Sequence, residues 1–256
     1  MKKTILTLTF ILCAFILKAQ LFRETSLYPN TTGIHRKYFN GSGGRGYWTY
    51  EKIDALGRAV EESSYKRNKL LAKYLYQYND KHDVTRSIDA YSINDPQRKD
   101  TTTYEYTYIN DRIAFQKCTF SNNKNSITYR LIANQGDSVL TYQELSYHYY
   151  PAKKADTVFE RTYILTYQDG LLVKKEEITS DKEKEITCFE YYNNGKLKRR
   201  IITREPKSEF QGFRIGAPGS DDQSYSYTYD RAGRIKKLYT IIADRTYKLS
   251  ASRYEN

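Results

Sequence analysis

The chain has 256 residues, a formal charge of +12, 39% hydrophobic and 15% aromatic residues, and tyrosine alone accounts for 27 positions. That content is too low for a core of Leu and Val, yet the wealth of aromatic rings excludes a disordered chain. Three cysteines and three histidines with no CxxC and no Cys/His cluster exclude a zinc site built on those ligands.

Residues 1–19 read as a secretory signal. Lys2 and Lys3 precede an apolar run from Ile5 to Leu17, and Ala19 supplies a small residue for cleavage. The run is shorter than the roughly twenty residues a membrane span needs. Removal takes Lys2, Lys3 and Lys18 from the positive surplus and leaves nothing apolar enough to cross a membrane. The predicted location is outside the cytoplasm: periplasm, outer surface or medium. An oxidising compartment permits Cys118 and Cys188 to pair, although two separate apolar side chains are equally compatible with the spacing. A basic exported chain attracts acidic or surface glycans and anionic envelope surfaces in preference to nucleic acid, and its lysines also serve simply to solvate strands.

Residues 20–47 carry no repeat and read as an irregular lead-in. Their glycine cluster, Asn40 to Gly46, lacks the GK[ST] and the following helix of a phosphate loop.

From residue 48 to 256 one pattern recurs. Its clearest copy is Tyr225 to Thr240, where Tyr225, Tyr227 and Tyr229 alternate with small polar residues, Asp230-Arg231-Ala232-Gly233-Arg234 follows, and a second run begins at Ile235. Alternation with period two is a half-buried strand, and Asp and Gly supply the backbone of a tight reversal. The same turn recurs at Asp54, Gly57 and Arg58, just after Trp48 and Tyr50. Weaker copies lie at His82, at Asp111 and Arg112, near Gly136, at Gly170 and at Gly195. The outgoing runs (Val60-Glu61-Glu62, Val173-Lys174-Lys175, Leu197-Lys198-Arg199) place charges on both faces, so at least one face of the sheet is wet. The expected fold is all-β: an antiparallel meander of about seven Tyr-rich hairpins forming a twisted, partly curled sheet. Segments 92–100, 151–156 and 205–223 read as polar connections able to carry specificity.

The Y-T-Y-D-x-x-G-R stretch at Tyr227 to Arg234 and the I-D-A-L-G-R stretch at Ile53 to Arg58 resemble the YD repeats of Rhs-type cell-surface proteins. Tyr191 to Leu197 also resembles the aromatic-Asn-Gly hairpins of MORN-like repeats. The resemblance implies an extracellular or envelope β-repeat scaffold with carbohydrate binding, although large Rhs shells use many more repeats and enclose a C-terminal toxin that has no room here.

The leading functional expectation is therefore an exported, non-enzymatic binding or scaffold protein of the envelope, with Trp48 and Tyr50 as candidate ligand-stacking rings. The alternative is a protein-partner module, accessory or immunity-like, associated with a toxin or surface assembly. A glycan-acting enzyme comes third. No catalytic, cofactor-binding or metal-ligating residue is nominated: no G-x-S-x-G occurs and no histidine has a motif partner.

Overall fold

A computed structural model describes residues 28, 30–39, 46–97, 99–121, 125–136, 138–150, 155–205, 222–242 and 245–255. The signal segment 1–19, most of the glycine cluster and the insertion at 206–221 lie outside the described residues.

Sixteen strands follow in chain order, with no helix among the described residues. They are β1 (Gly33–Tyr38), β2 (Tyr47–Ile53), β3 (Ala59–Lys66), β4 (Lys69–Tyr78), β5 (Val84–Ser92), β6 (Asp100–Ile109), β7 (Arg112–Phe120) and β8 (Ser126–Gln135). Then come β9 (Val139–Tyr150), β10 (Ala155–Gln168), β11 (Leu171–Thr179), β12 (Lys184–Tyr191), β13 (Leu197–Glu205), β14 (Asp222–Tyr229), β15 (Ile235–Ile242) and β16 (Arg245–Glu255). Every strand pairs antiparallel with its sequence neighbours, and β1 also pairs with β16, which closes the barrel.

That closure corrects the expected open, partly curled sheet of about seven hairpins. The closing strand comes from Gly33–Tyr38, inside the stretch read as an irregular lead-in. Closure satisfies the two rows of backbone groups that an open sheet leaves at its edges. Thr32 N–H donates to Glu255 O at 2.9 Å and Ile53 N–H to Thr32 O at 2.9 Å, so the entry to β1 is stitched to both neighbours.

The turns explain the repeat. In the loops 54–58, 79–83, 192–196 and 230–234, the first residue donates its N–H to the carbonyl of the fifth, and the fourth donates to the carbonyl of the first. This is a three-residue hairpin loop, a type I turn closed by a left-handed residue. The left-handed position is Gly57 (φ 81°), His82 (φ 67°), Gly195 (φ 77°) or Gly233 (φ 83°). Two shorter reversals place Asn110 and Asp111, and Asp169 and Gly170, at positive φ. The connections after β2, β4, β6, β8, β10, β12 and β14 all lie on one rim.

Asp suits the first turn position because it caps the reversal. Asp54 Oδ1 accepts the N–H of Leu56 and of Arg58 at 2.9 Å each, while Oδ2 accepts Arg58 Nε at 2.8 Å. Asp230 repeats the arrangement with Arg234. The arginine then lies over the tyrosine that ends a neighbouring strand, Arg58 over Tyr78 at 4.9 Å and Arg234 over Tyr254 at 4.3 Å.

Those tyrosines are tied at their other end as well. Tyr78 donates its hydroxyl to Ala59 O, Tyr106 to Val84 O, Tyr142 to Ile113 O, Tyr191 to Leu172 O, Tyr229 to Leu197 O and Tyr254 to Ile235 O, all at 2.6–2.8 Å. Each acceptor is the first or second residue of a strand leaving the turn rim. Each bond contributes about 1 kcal/mol net and fixes one hairpin to the next.

In a closed wall the concave side chains converge and shade one another. Ile34, Tyr142 and Leu165, 0–1% exposed, identify that face. Residues opposite one another in register share it: Tyr163 faces Tyr142, Tyr129 faces Glu144 and Gln116, Tyr106 faces Gln116, and Tyr225 faces Arg200. The tyrosine ladder lines the inside. Its best-packed part joins Leu140, Tyr142, Tyr163 and Leu165, and a second cluster joins Tyr28, Ile34 and Ile53 at the closing strand. Sixteen strands enclose more space than side chains of one wall fill, so most of these rings are half-buried.

Cys118 lies buried on the inner face of β7, whereas Cys188 is exposed on the outer face of β12, and both are free thiols.

Candidate functional site

The turn residues singled out in the sequence are spread around one rim and do not converge on a cleft. Asp54, Gly57 and Arg58 close β2–β3, and Asp230, Gly233 and Arg234 close β14–β15. The two turns are brought near each other by the seam: Tyr28 N–H donates to Gly57 O at 2.8 Å, and Arg234 Nη1 donates to Thr31 Oγ1 at 3.1 Å. Asp111 pairs with Lys81, and Arg112 reaches Gly136 O at 3.5 Å. Gly170 and Gly195 stand at turns with open space beside them. These roles are architectural. Among the described residues no group of three or more His, Cys, Asp or Glu is arranged to hold a metal ion.

Trp48 and Tyr50 stand elsewhere, on the outer face of β2, where the closing strand adds a histidine. Register sets Arg253, His35 and Tyr50 in one row and Ala251, Lys37, Trp48 and Tyr65 in the next. Trp48 stacks face to face on Tyr65, centroids 4.0 Å apart and planes 8° apart. His35 lies 4.7 Å from Tyr50 and 5.9 Å from Trp48. Glu255 binds the strip together: its Oε1 is 2.8 Å from His35 Nε2, and its Oε2 accepts the Tyr50 hydroxyl at 3.4 Å.

Gly33 makes this arrangement possible. A Cβ there would stand 2.6 Å from Glu255 Oε2 and 2.7 Å from the Tyr50 hydroxyl, so any larger residue expels one of them. Burial, reinforced by the Glu255 charge, raises the Tyr50 pKa.

The inner face at the same strands is different in kind. Arg36, on β1, donates to Glu51 on β2 at 2.6 Å, and the pair is partly buried. Burial opposes the Arg36 charge, but Glu51 and the neighbouring Tyr38 outweigh it and raise its pKa. Further round, buried Glu144 accepts the hydroxyls of Tyr163 and Ser146 at 2.7 Å each. The lumen wall therefore offers phenols, carboxylates and guanidinium groups together.

His35, Lys37 and Arg253 were missed in the sequence because they flank no turn motif. The one available signal was the alternation of Ile34, Arg36 and Tyr38 against His35 and Lys37.

No family model matches this chain, and no curated protein matches it. Among solved structures, a porin-like protein from Bacteroides uniformis ATCC 8492 aligns over 91% of this chain and 100% of its own, with 12% identity and a TM-score of 0.44. A TcdB2-TccC3-TEV structure aligns over 84% of this chain and 14% of its own, with 12% identity and a TM-score of 0.20. Likenesses at these scores carry no argument, and the YD-repeat resemblance rests on the turn residues alone.

Proposed function

We propose that this chain is an exported, non-enzymatic β-barrel that works in water as a binding or scaffold protein of the cell envelope. The observation that carries the reading is the polarity of the wall. Its outer face presents Lys73, Arg86, Lys117, Arg130, Lys174 and Arg199, whose register partners are the outward residues of adjacent strands. A lysine or arginine facing hydrocarbon costs about 2–4 kcal/mol at the bilayer midplane, less near the rims. Six of them at that depth would cost about 12–24 kcal/mol, as much as or more than the roughly 5–15 kcal/mol that holds a domain folded. Outer ion pairs such as Lys73–Glu61 at 2.9 Å and Lys174–Glu176 at 2.6 Å suit water on that side.

Carbohydrate is the ligand class this reading favours, because the His35, Trp48, Tyr50 and Tyr65 strip joins aromatic edges to carboxylate and guanidinium groups, the mixture that sugar rings and hydroxyls accept. The test is fractionation of exporting cells. The protein should be released by osmotic shock or recovered from the medium without detergent. Retention in carbonate-washed membranes, with release by detergent only, would refute the reading.

A further inference from the structure

At the end of the seam opposite the turn rim, β16, β1, β2 and the β3–β4 turn border an open pocket of about 530 Å³. Cavities of this size hold small organic ligands. Its lining brings Lys37, Arg67 and Arg253 together with His35, Tyr47 and Trp48, and among the described residues no carboxylate lines it. A further lining cation, Arg36, is already held by Glu51. Lys37, Arg67 and Arg253 form no ion pair among the described residues. Like charges gathered round one cavity repel one another, and an anion placed between them removes that repulsion.

The turn fixes the backbone of this arginine and leaves its side chain exposed. Arg67 N–H donates to Gly46 O at 3.0 Å, and Arg67 takes a left-handed conformation at φ 48°, beside Asn68 at φ 64°. A Cβ on Gly46 would approach the Arg67 Cγ to 3.3 Å, so glycine there leaves room for the arginine stem. Tyr65, stacked on Trp48, fixes the indole in one orientation beside these charges. Cations supply affinity for an acid, and the aromatic wall supplies contact for a ring.

We propose that this cavity binds an anionic sugar unit, a single pyranose-sized ring carrying a carboxylate or a phosphate. The proposal rests on the reading that the outer wall meets water, and it names the ligand class of that binding protein.

The test is calorimetric titration of the purified protein with trigalacturonate, galactose 6-phosphate, maltotriose and inorganic phosphate, at low and at high salt. At least one acidic sugar should bind, more weakly as salt rises, and maltotriose should not. Which acid binds identifies the anionic group. Arg67→Gln and Arg253→Gln should each weaken binding about tenfold, as expected for loss of one charge-assisted contact, while Lys117→Gln on the far outer wall leaves it unchanged; circular dichroism confirms that each variant keeps its sheet. Equal binding of maltotriose, inorganic phosphate as tight as galactose 6-phosphate, or unaltered affinity in both folded arginine variants would overturn the proposal. Absence of acid binding by protein released without detergent would overturn it too, while leaving the barrel's water-facing character intact.

Discussion

Replacing Asp230 separates the two things this side chain does. Its Oδ1 accepts the Arg234 N–H at 2.9 Å and its Oδ2 accepts Arg234 Nε at 2.9 Å, while the Ala232 N–H also bonds the carboxylate. Asp230→Ala removes all of these, so a half-exposed turn loses its amide caps together with an ion pair. Counting about 1 kcal/mol for the caps and up to 1 kcal/mol for the pair gives a loss of about 2 kcal/mol. Asp230→Asn keeps the amide-accepting oxygen, as Asn79 does in its own turn, where Oδ1 accepts Lys81 N–H at 3.0 Å and Asp83 N–H at 2.9 Å. That variant should lose only about 0.5–1 kcal/mol. Urea denaturation at pH 7 reads both as midpoint shifts at unchanged slope. The pH dependence has a definite sign. Burial pushes the Asp230 carboxyl up, but the Arg234 backbone and guanidinium outweigh burial and hold it below its ordinary value. The contribution is therefore present above the unfolded pKa of about 3.9 and lost as pH falls through the lower folded one. The wild type should converge on Asp230→Ala in strong acid. Equal midpoints for the Asn and Ala variants at pH 7 would refute the capping argument.

Four other outcomes are expected. Tyr142→Phe should cost about 1–2 kcal/mol, because the Ile113 carbonyl loses its buried phenol partner, whereas Tyr192→Phe on the exposed rim should change the urea midpoint little. His82→Gly should stabilise by a few tenths of a kcal/mol to about 1, since glycine takes φ 67° without strain; a lower melting temperature would count against the turn assignment. Burial pushes Tyr167 up to about 12 and raises Tyr142, so the folded barrel keeps protons that the unfolded chain releases; stability should be lost as pH rises from about 10 towards 12, seen as ultraviolet phenolate absorbance appearing together with unfolding. Burial, helped by Glu144, pushes the Cys118 thiol up to about 11, so a thiol reagent at pH 8 should modify Cys188 in the folded protein and reach Cys118 only on unfolding.

The hairpins were legible because their cause is local. Asp230, Gly233 and Arg234 make their turn from contacts within five residues, and the alternation of Tyr225, Tyr227 and Tyr229 is set by the pleat of one strand. The closing strand was not, because Gly33–Tyr38 carries no turn motif at its link to β2, and its other neighbour, β16, is separated from it by more than 200 residues. The His35 and Trp48 strip inherits that difficulty. Trp48 and Tyr50 drew attention as rings, but their companions His35, Glu255 and Arg253 reach them only through closure. The paired thiols considered from sequence fail for a related reason, since parity along β7 and β12 puts them on opposite sides of the wall.

A period of two says that a strand has two unlike faces, but it does not say which becomes concave. That choice is made at the turn rim. The register shifts by one residue between Lys52 and Ile53, Gln77 and Tyr78, Thr107 and Tyr108, Thr166 and Tyr167, Glu190 and Tyr191, and Thr228 and Tyr229, each time just before a turn. An extra residue on one strand increases local twist and bends the pair. Repeated at the same height on alternate pairs, the bends add in one direction. The phenol-to-carbonyl bonds select that direction, because Tyr78, Tyr229 and Tyr254 can reach Ala59, Leu197 and Ile235 only if neighbouring hairpins tilt toward the tyrosine face. A sheet whose ring-bearing side is drawn inward at every other strand curls until its ends meet, and β1 enters where they do.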